Sequence, residues 1–141
     1  METKEYLEQI SRMDKVIENK LSEICQLKTL SYGVSAIKNE ERVQSSSNFD
    51  RIGNIIVKIE QKEIELDNYI DEYISKKQEI IKQIDSMEDE VYYQLLFSRY
   101  VQKKKFERIA EDMAYSSRQI LRLHGKALQE FEKKYGKTYK K

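Results

Sequence analysis

From Leu95 to Leu128 the chain reads LLFSRYVQKKKFERIAEDMAYSSRQILRLHGKAL. Within it Phe106, Ile109, Ala110 and Met113 fall at i, i+3, i+4 and i+7, which places one narrow apolar stripe on a helix of about two turns. Ala114 and Tyr115 interrupt the charged pattern. Ser116 can cap a new helix, and Gln119, three residues on, completes a reciprocal capping box, so a turn is expected at 114–116. In the helix that follows, Ile120, Leu123, Ala127, Leu128 and Phe131 form the inward stripe. Ser117, Arg118, Leu121, Arg122, Gly125 and Lys126 fall outside it. A short helix, a tight turn and a longer basic helix form the pattern of a helix-turn-helix.

The outward residues carry the chemistry of a DNA reader. The first turns of a recognition helix enter the major groove, where arginine donates two hydrogen bonds to guanine and small side chains reach base edges. Ser117, Arg118, Leu121 and Arg122 are therefore the expected base readers, with the two arginines on one face at i and i+4. Lys103, Lys104, Lys105, His124 and Lys126 are the expected contacts to the DNA backbone, which give affinity without sequence preference. Any two amphipathic helices joined by a short turn produce the same spacing, and charge is what separates the readings. From Val101 to Lys141 there are 12 lysines and arginines against 5 acids, leaving 14 against 20 in the first hundred residues. The near-neutral total of +1 conceals a basic C-terminal third, an asymmetry that points to a polyanionic partner.

The string Arg99-Tyr100, then Ile109-Ala110, then Tyr115-Ser116-Ser117-Arg118-Gln119, then Leu123-His124-Gly125-Lys126-Ala127-Leu128 resembles the C-terminal part of the sigma-factor-like regulators of Gram-positive phages and mobile elements, of the ArpU and RinA type. Glu41-Arg42-Val43-Gln44-Ser45-Ser46 looks like the linker of that family, so the resemblance extends over the chain. Many members carry tryptophan and an acidic pair where this chain has Phe106-Glu107-Arg108, and a glycine in the turn where it has Lys103-Lys104-Lys105. The resemblance implies a helix-turn-helix similar to region four of sigma factors, double-stranded DNA as partner, and host RNA polymerase as a further partner.

The remainder of the chain sets the frame. It has no proline, no tryptophan and four glycines, and 36% of its 141 residues are charged, a composition that favours long uninterrupted helices. The expected fold is all-α: a long antiparallel coiled-coil helical hairpin over 1–85, followed by the helix-turn-helix domain over 86–141. One cysteine excludes an intramolecular disulfide, and Cys25 is expected as a small core residue. A single histidine leaves no cluster at zinc-ligand spacing, and there is no glycine-rich phosphate loop and no nucleophile beside a base and acid. The expectation is a non-enzyme without cofactor, metal or small-molecule substrate. With no signal-peptide pattern and no apolar run approaching ~20 residues, no membrane role is expected and the expected place of action is a cytoplasm, which the resemblance implies to be that of a bacterial host cell.

Leu7, Ile10, Met13, Ile17, Leu21, Ile24 and Leu27 mark an amphipathic helix from Thr3 to about Leu30. Tyr32-Gly33 and Ser45-Ser46-Ser47-Asn48 suggest a linker near 31–50, in which Arg42 and Gln44 could touch a partner, with Asp50 as the next cap. Ile52, Ile56, Ile59, Glu63, Leu66, Ile70, Tyr73, Lys77, Ile80, Ile84 and Met87 then alternate by fours and threes. This heptad seam, polar at Glu63 and Lys77, is too long for a small core to cover and needs a coiled-coil partner. The first helix can fold back along it, and any uncovered part could pair with a second chain as a homodimer. Ser86 with Asp89 resembles a cap, so a fresh helix is expected near Met87, the alternative being one continuous helix from Asp50 to Tyr100.

Tyrosines at helix spacing, such as Tyr69 with Tyr73 and Tyr92 with Tyr93, are expected to bury their rings rather than to stack bases. His124 stands between a phosphate contact and a partly buried packing residue. Gly125, costing about 1 kcal/mol inside a helix, hints at close approach of another helix or of DNA. The tail residues Lys133, Lys134, Lys137, Lys140 and Lys141 read either as a frayed terminus or as phosphate contacts. Two further functional readings stay open: a phage DNA-packaging subunit resembling the small terminase, and a coiled-coil adaptor that does not bind DNA.

Overall fold

The computed structural model describes residues 1–40 and 45–140, the side chains of 34–40 and 45–48 excepted. All regular structure among the described residues is helical: α1 (Thr3–Glu40), α2 (Ser45–Asp85), α3 (Glu90–Leu96) running into a π-helical turn (Phe97–Val101), α4 (Phe106–Met113) and α5 (Ser117–Tyr139). The chain divides into two compact units, one formed by Met1–Asp14 with Tyr73–Lys141 and the other by Lys15–Glu72.

The first unit holds the stretch from Leu95 to Leu128. Its larger core joins Tyr6, Leu7 and Ile10 of α1, Ile80 and Ile84 of α2, Leu96 and Tyr100, and Ala127 and Phe131 of α5. The expected boundary at 85/86 therefore does not describe how the chain compacts. The start of α1 and the end of α2 share the core of the C-terminal helices. A second core of Leu95, Ile109, Ala110 and Ile120 fixes α4 against α3 and α5. The Tyr6 hydroxyl donates to Gln83 Oε1 at 2.7 Å, satisfying two polar groups inside this core.

The break between α2 and α3 excludes a continuous helix to Tyr100. Asp89 is its cap, accepting from the backbone N–H of Val91 at 2.9 Å and of Tyr92 at 3.2 Å. Ser86, expected as the capping residue, instead donates to the Gln83 carbonyl at 2.6 Å and bonds the Tyr135 hydroxyl.

Through Tyr139 the basic tail is helical rather than frayed, and Lys141 lies outside the described residues. α5 continues to Tyr139, whose ring stacks on Tyr6 with centroids 4.3 Å apart and whose hydroxyl donates to Thr3 Oγ1 at 2.8 Å. Lys133 pairs with Glu130, Lys134 donates to the Ser86 carbonyl, and Lys140 pairs with Glu2 and Glu132. Phe131, Tyr135 and Tyr139 recur by fours, so the helix is held by the aromatic edge it buries.

In the second unit α1 and α2 run antiparallel: the Lys20 ammonium lies over the Tyr69 ring, Glu23 pairs with Lys62, and Lys28 pairs with Glu63. Ile24 and Leu66 are its buried hydrophobic residues among those described. Helix occupies most of the stretch expected as a linker near 31–50, since α1 reaches Glu40 and α2 begins at Ser45, ahead of Asp50. With no proline present, a lone glycine at 33 costs a helix only about 1 kcal/mol and does not end it. The partner contact assigned to Arg42 and Gln44 lies outside the described residues, as does most of the linker string from Glu41. Cys25 is exposed rather than a core residue, because it follows the buried Ile24 and is turned about 100° away from the seam.

Candidate nucleic-acid interface

α4 ends in the turn expected at 114–116. Ala114 adopts the left-handed conformation, φ 58°, its N–H bonds the Glu111 carbonyl at 3.2 Å, and the Tyr115 N–H bonds the Ala110 carbonyl at 3.0 Å. This pair of bonds is a Schellman stop. Ser116 then caps α5: its hydroxyl accepts from the Gln119 N–H at 3.2 Å, while the Ser116 N–H donates to Gln119 Oε1 at 3.0 Å. The capping box anticipated from the sequence is complete. Ile120 and Ala127, both fully buried, turn one side of α5 inward. The opposite side carries Ser117, Arg118, Leu121, Arg122, Gly125 and Lys126, all exposed.

Arg118, Arg122 and Lys126 form no ion pair among the described residues, and neither does Lys105, which occupies the N-cap position of α4. Lys58, Lys82 and Lys137 are also without an ion pair among the described residues, so what marks this face is that its charged side chains, Arg118, Arg122 and Lys126, are all cations. Leu121 sits among these cations with 54% of its surface exposed. A Cβ built on Gly125 would meet nothing within 4 Å, so no neighbouring helix of this chain requires a glycine there.

The other expected backbone contacts fare differently. Lys103 pairs with Asp14, and Lys104 pairs with Asp112 at 3.0 Å, which holds the Asp112 carboxyl below its usual range chiefly through that hydrogen bond. His124 must be removed from the set of backbone contacts. It is 8% exposed and faces the core, with Nε2 bonded to the Tyr100 hydroxyl at 2.7 Å. Burial, then the nearby Arg99 and Lys4 charges, lower its pKa to about 4, so the ring is neutral at physiological pH. Burial also raises the pKa of Tyr100, which keeps its proton.

These side chains form a brace that spacing alone does not reveal. The Arg99 guanidinium lies 4.1 Å from the Phe106 ring centroid, and Phe106 meets His124 edge-on at 4.9 Å. Arg99 also donates to the Lys104 carbonyl at 3.1 Å, and the Lys104 N–H reaches the Ser98 carbonyl at 3.0 Å. The turn from 102 to 105 is thus tied to α4 and α5. Lys103 within it takes φ 59°, the left-handed conformation that glycine adopts without strain. A lysine can occupy it because the flanking hydrogen bonds and the Asp14 pair determine its backbone.

No family model, curated protein or solved structure matches the chain. Among the described residues, no group of three or more His, Cys, Asp or Glu is placed to hold a metal ion, and no helix is long and apolar enough to cross a membrane.

Proposed function

We propose that this chain is a sequence-specific DNA-binding transcriptional regulator of phage or mobile-element genes. In this reading α4, its turn and α5 are a helix-turn-helix, and the antiparallel helices of the second unit are a coiled-coil arm. The observation that carries it is the outward face of α5. Three cations without acidic partners, a serine at the helix start and an exposed leucine share one face of a helix whose first turn is capped and exposed. Arginines that must satisfy only themselves and water are free to meet guanine edges and phosphates. Ser117, Arg118, Leu121 and Arg122 read bases in this scheme, while Lys105 and Lys126 hold the backbone. Lys103 and Lys104 contribute less, because each would first exchange a carboxylate for a phosphate. The resemblance to region four adds host RNA polymerase as a second partner.

The test is selection of bound sequences from random duplex DNA by the whole protein across a salt series. Enrichment of one motif that survives physiological salt is the expected result. Weak binding without enrichment that vanishes as salt rises would reduce the basic face to nonspecific attraction and overturn the proposal.

A further inference from the structure

The second unit is two helices with very little interior. Outside the Ile24 and Leu66 positions, a row of apolar side chains remains open: Leu21 is 51% exposed, Tyr32 74%, Ile56 45% and Ile64 62%. These four share a side of the helix pair. On α1, Leu21 and Tyr32 lie seven before and four after Lys28 when counted through Cys25 and Lys28, at the 3–4 spacing of one helix face. On α2, Glu60 follows Ile56 by four, and Glu63 and Ile64 follow Glu60 by three and four. The Lys28–Glu63 bridge crosses from one row to the other and marks their common side, whereas Glu23–Lys62 crosses on the opposite side, one heptad from Leu30. The antiparallel pairing also sets Cys25 level with Ile64, and Tyr32 level with Ile56.

We infer that this side of the helix pair is the interface with a second copy of the chain, stacked about a two-fold axis parallel to the helices to give a four-helix arrangement. That symmetry preserves height along the helices and lays each α1 on the partner's α2, so every neighbouring pair is antiparallel. The charges on the face complement themselves under the same operation. α1 presents Lys28, half exposed even while bridging Glu63, and α2 presents Glu60 at nearly the same height; Glu60 forms no ion pair of its own among the described residues. Each Lys28 therefore meets the acidic row of the other copy. The four apolar side chains expose roughly 400 Å² per copy, and with Cys25, Lys28 and Glu60 a pair buries about 1,000 Å² in total, the lower range of a specific interface. An interface this small predicts a weak dimer, with monomer and dimer both populated over accessible concentrations.

Sedimentation of the whole protein from low micromolar to hundreds of micromolar tests this, with helicity followed by circular dichroism. The wild type should pass from monomer to dimer across that range. Ile64→Glu should remain monomeric, Glu60→Lys should weaken the dimer at least tenfold by facing the partner subunit with like charge, and Leu30→Glu, on the other side, should leave it unchanged. All three positions are exposed, so helicity should not move. A protein that stays monomeric throughout, a dimer indifferent to Ile64→Glu, or one abolished by Leu30→Glu instead would overturn the inference. The experiment contains no DNA and is decided independently of the function proposed above.

Discussion

Acidification should loosen the first compact unit through one side chain, His124. Its folded pKa of about 4 lies below its ordinary 6.5, so between these values the unfolded chain binds more protons than the folded one. Stability from this group is fully present above about pH 6.5, decreases as pH falls, and is lost once pH passes through about 4. At about 1.4 kcal/mol per tenfold change in proton affinity, the whole contribution is ~3 kcal/mol, of which roughly 2.5 is lost between pH 7.5 and 4.5. That is a substantial part of the 5–15 kcal/mol typical of a domain of about this size. The cost has a structural source: a charged imidazole would be stripped of most of its water in the core and would face the like charges of Arg99 and Lys4. Urea unfolding of the wild type and of His124→Gln at the two pH values isolates the effect, since carboxylate titration is common to both proteins. The wild type should lose about 2–3 kcal/mol more than the variant over this interval. Equal losses in the two proteins, or an imidazole titrating near 6.5 by NMR in the folded state, would refute the reasoning.

Ala114→Gly should raise stability by about 1 kcal/mol at pH 7, because the left-handed stop of α4 strains an alanine and not a glycine; chemical unfolding measures it. Gly125→Ala should likewise stabilise by about 1 kcal/mol, as the site is open helix, yet lower affinity for a selected DNA site by filling the face that approaches it; unchanged affinity would remove Gly125 from the interface. Arg118→Ala and Arg122→Ala should each cost ~1–3 kcal/mol of discrimination between the selected site and random duplex, read in parallel gel-shift titrations. Lys126→Ala should weaken both DNAs alike and reduce the salt dependence by about one counterion, and Lys104→Ala should do so less because Lys104 already holds Asp112. Tyr139→Ala should destabilise by roughly 3–4 kcal/mol, since it removes the ring stacked on Tyr6 and the bond to Thr3, whereas a free tail would tolerate it.

The parts of the chain legible from sequence are those decided within about one helical turn. The stripe at Phe106, Ile109, Ala110 and Met113 defines α4 and the Ser116–Gln119 box defines the start of α5, whereas the helix expected near Met87 with Ser86 as its cap begins at Glu90 behind Asp89. The first two rest on neighbours no more than four residues apart, so periodicity and capping chemistry suffice. The outward identity of Ser117, Arg118, Leu121, Arg122 and Lys126 follows from the same count, because burying Ile120 and Ala127 leaves the other side of the helix to solvent.

Tertiary structure decided what depends on residues far apart. His124 is at the edge of the inward stripe by spacing, where a phosphate contact and a packed ring are equally compatible; Tyr100, 24 residues away, and Phe106 turn it into the core. Thr3 and Tyr139, 136 residues apart, convert a lysine-rich tail into the last turns of a packed helix. Asp14 and Asp112 determine which of the lysines between 103 and 105 is already neutralised. Local pattern determines which way a side chain leaves its own helix, since that angle is set by the backbone repeat. Whether it then meets solvent, a carboxylate or an aromatic ring depends on which distant segment packs there, and burial, pKa and free charge all follow from that encounter.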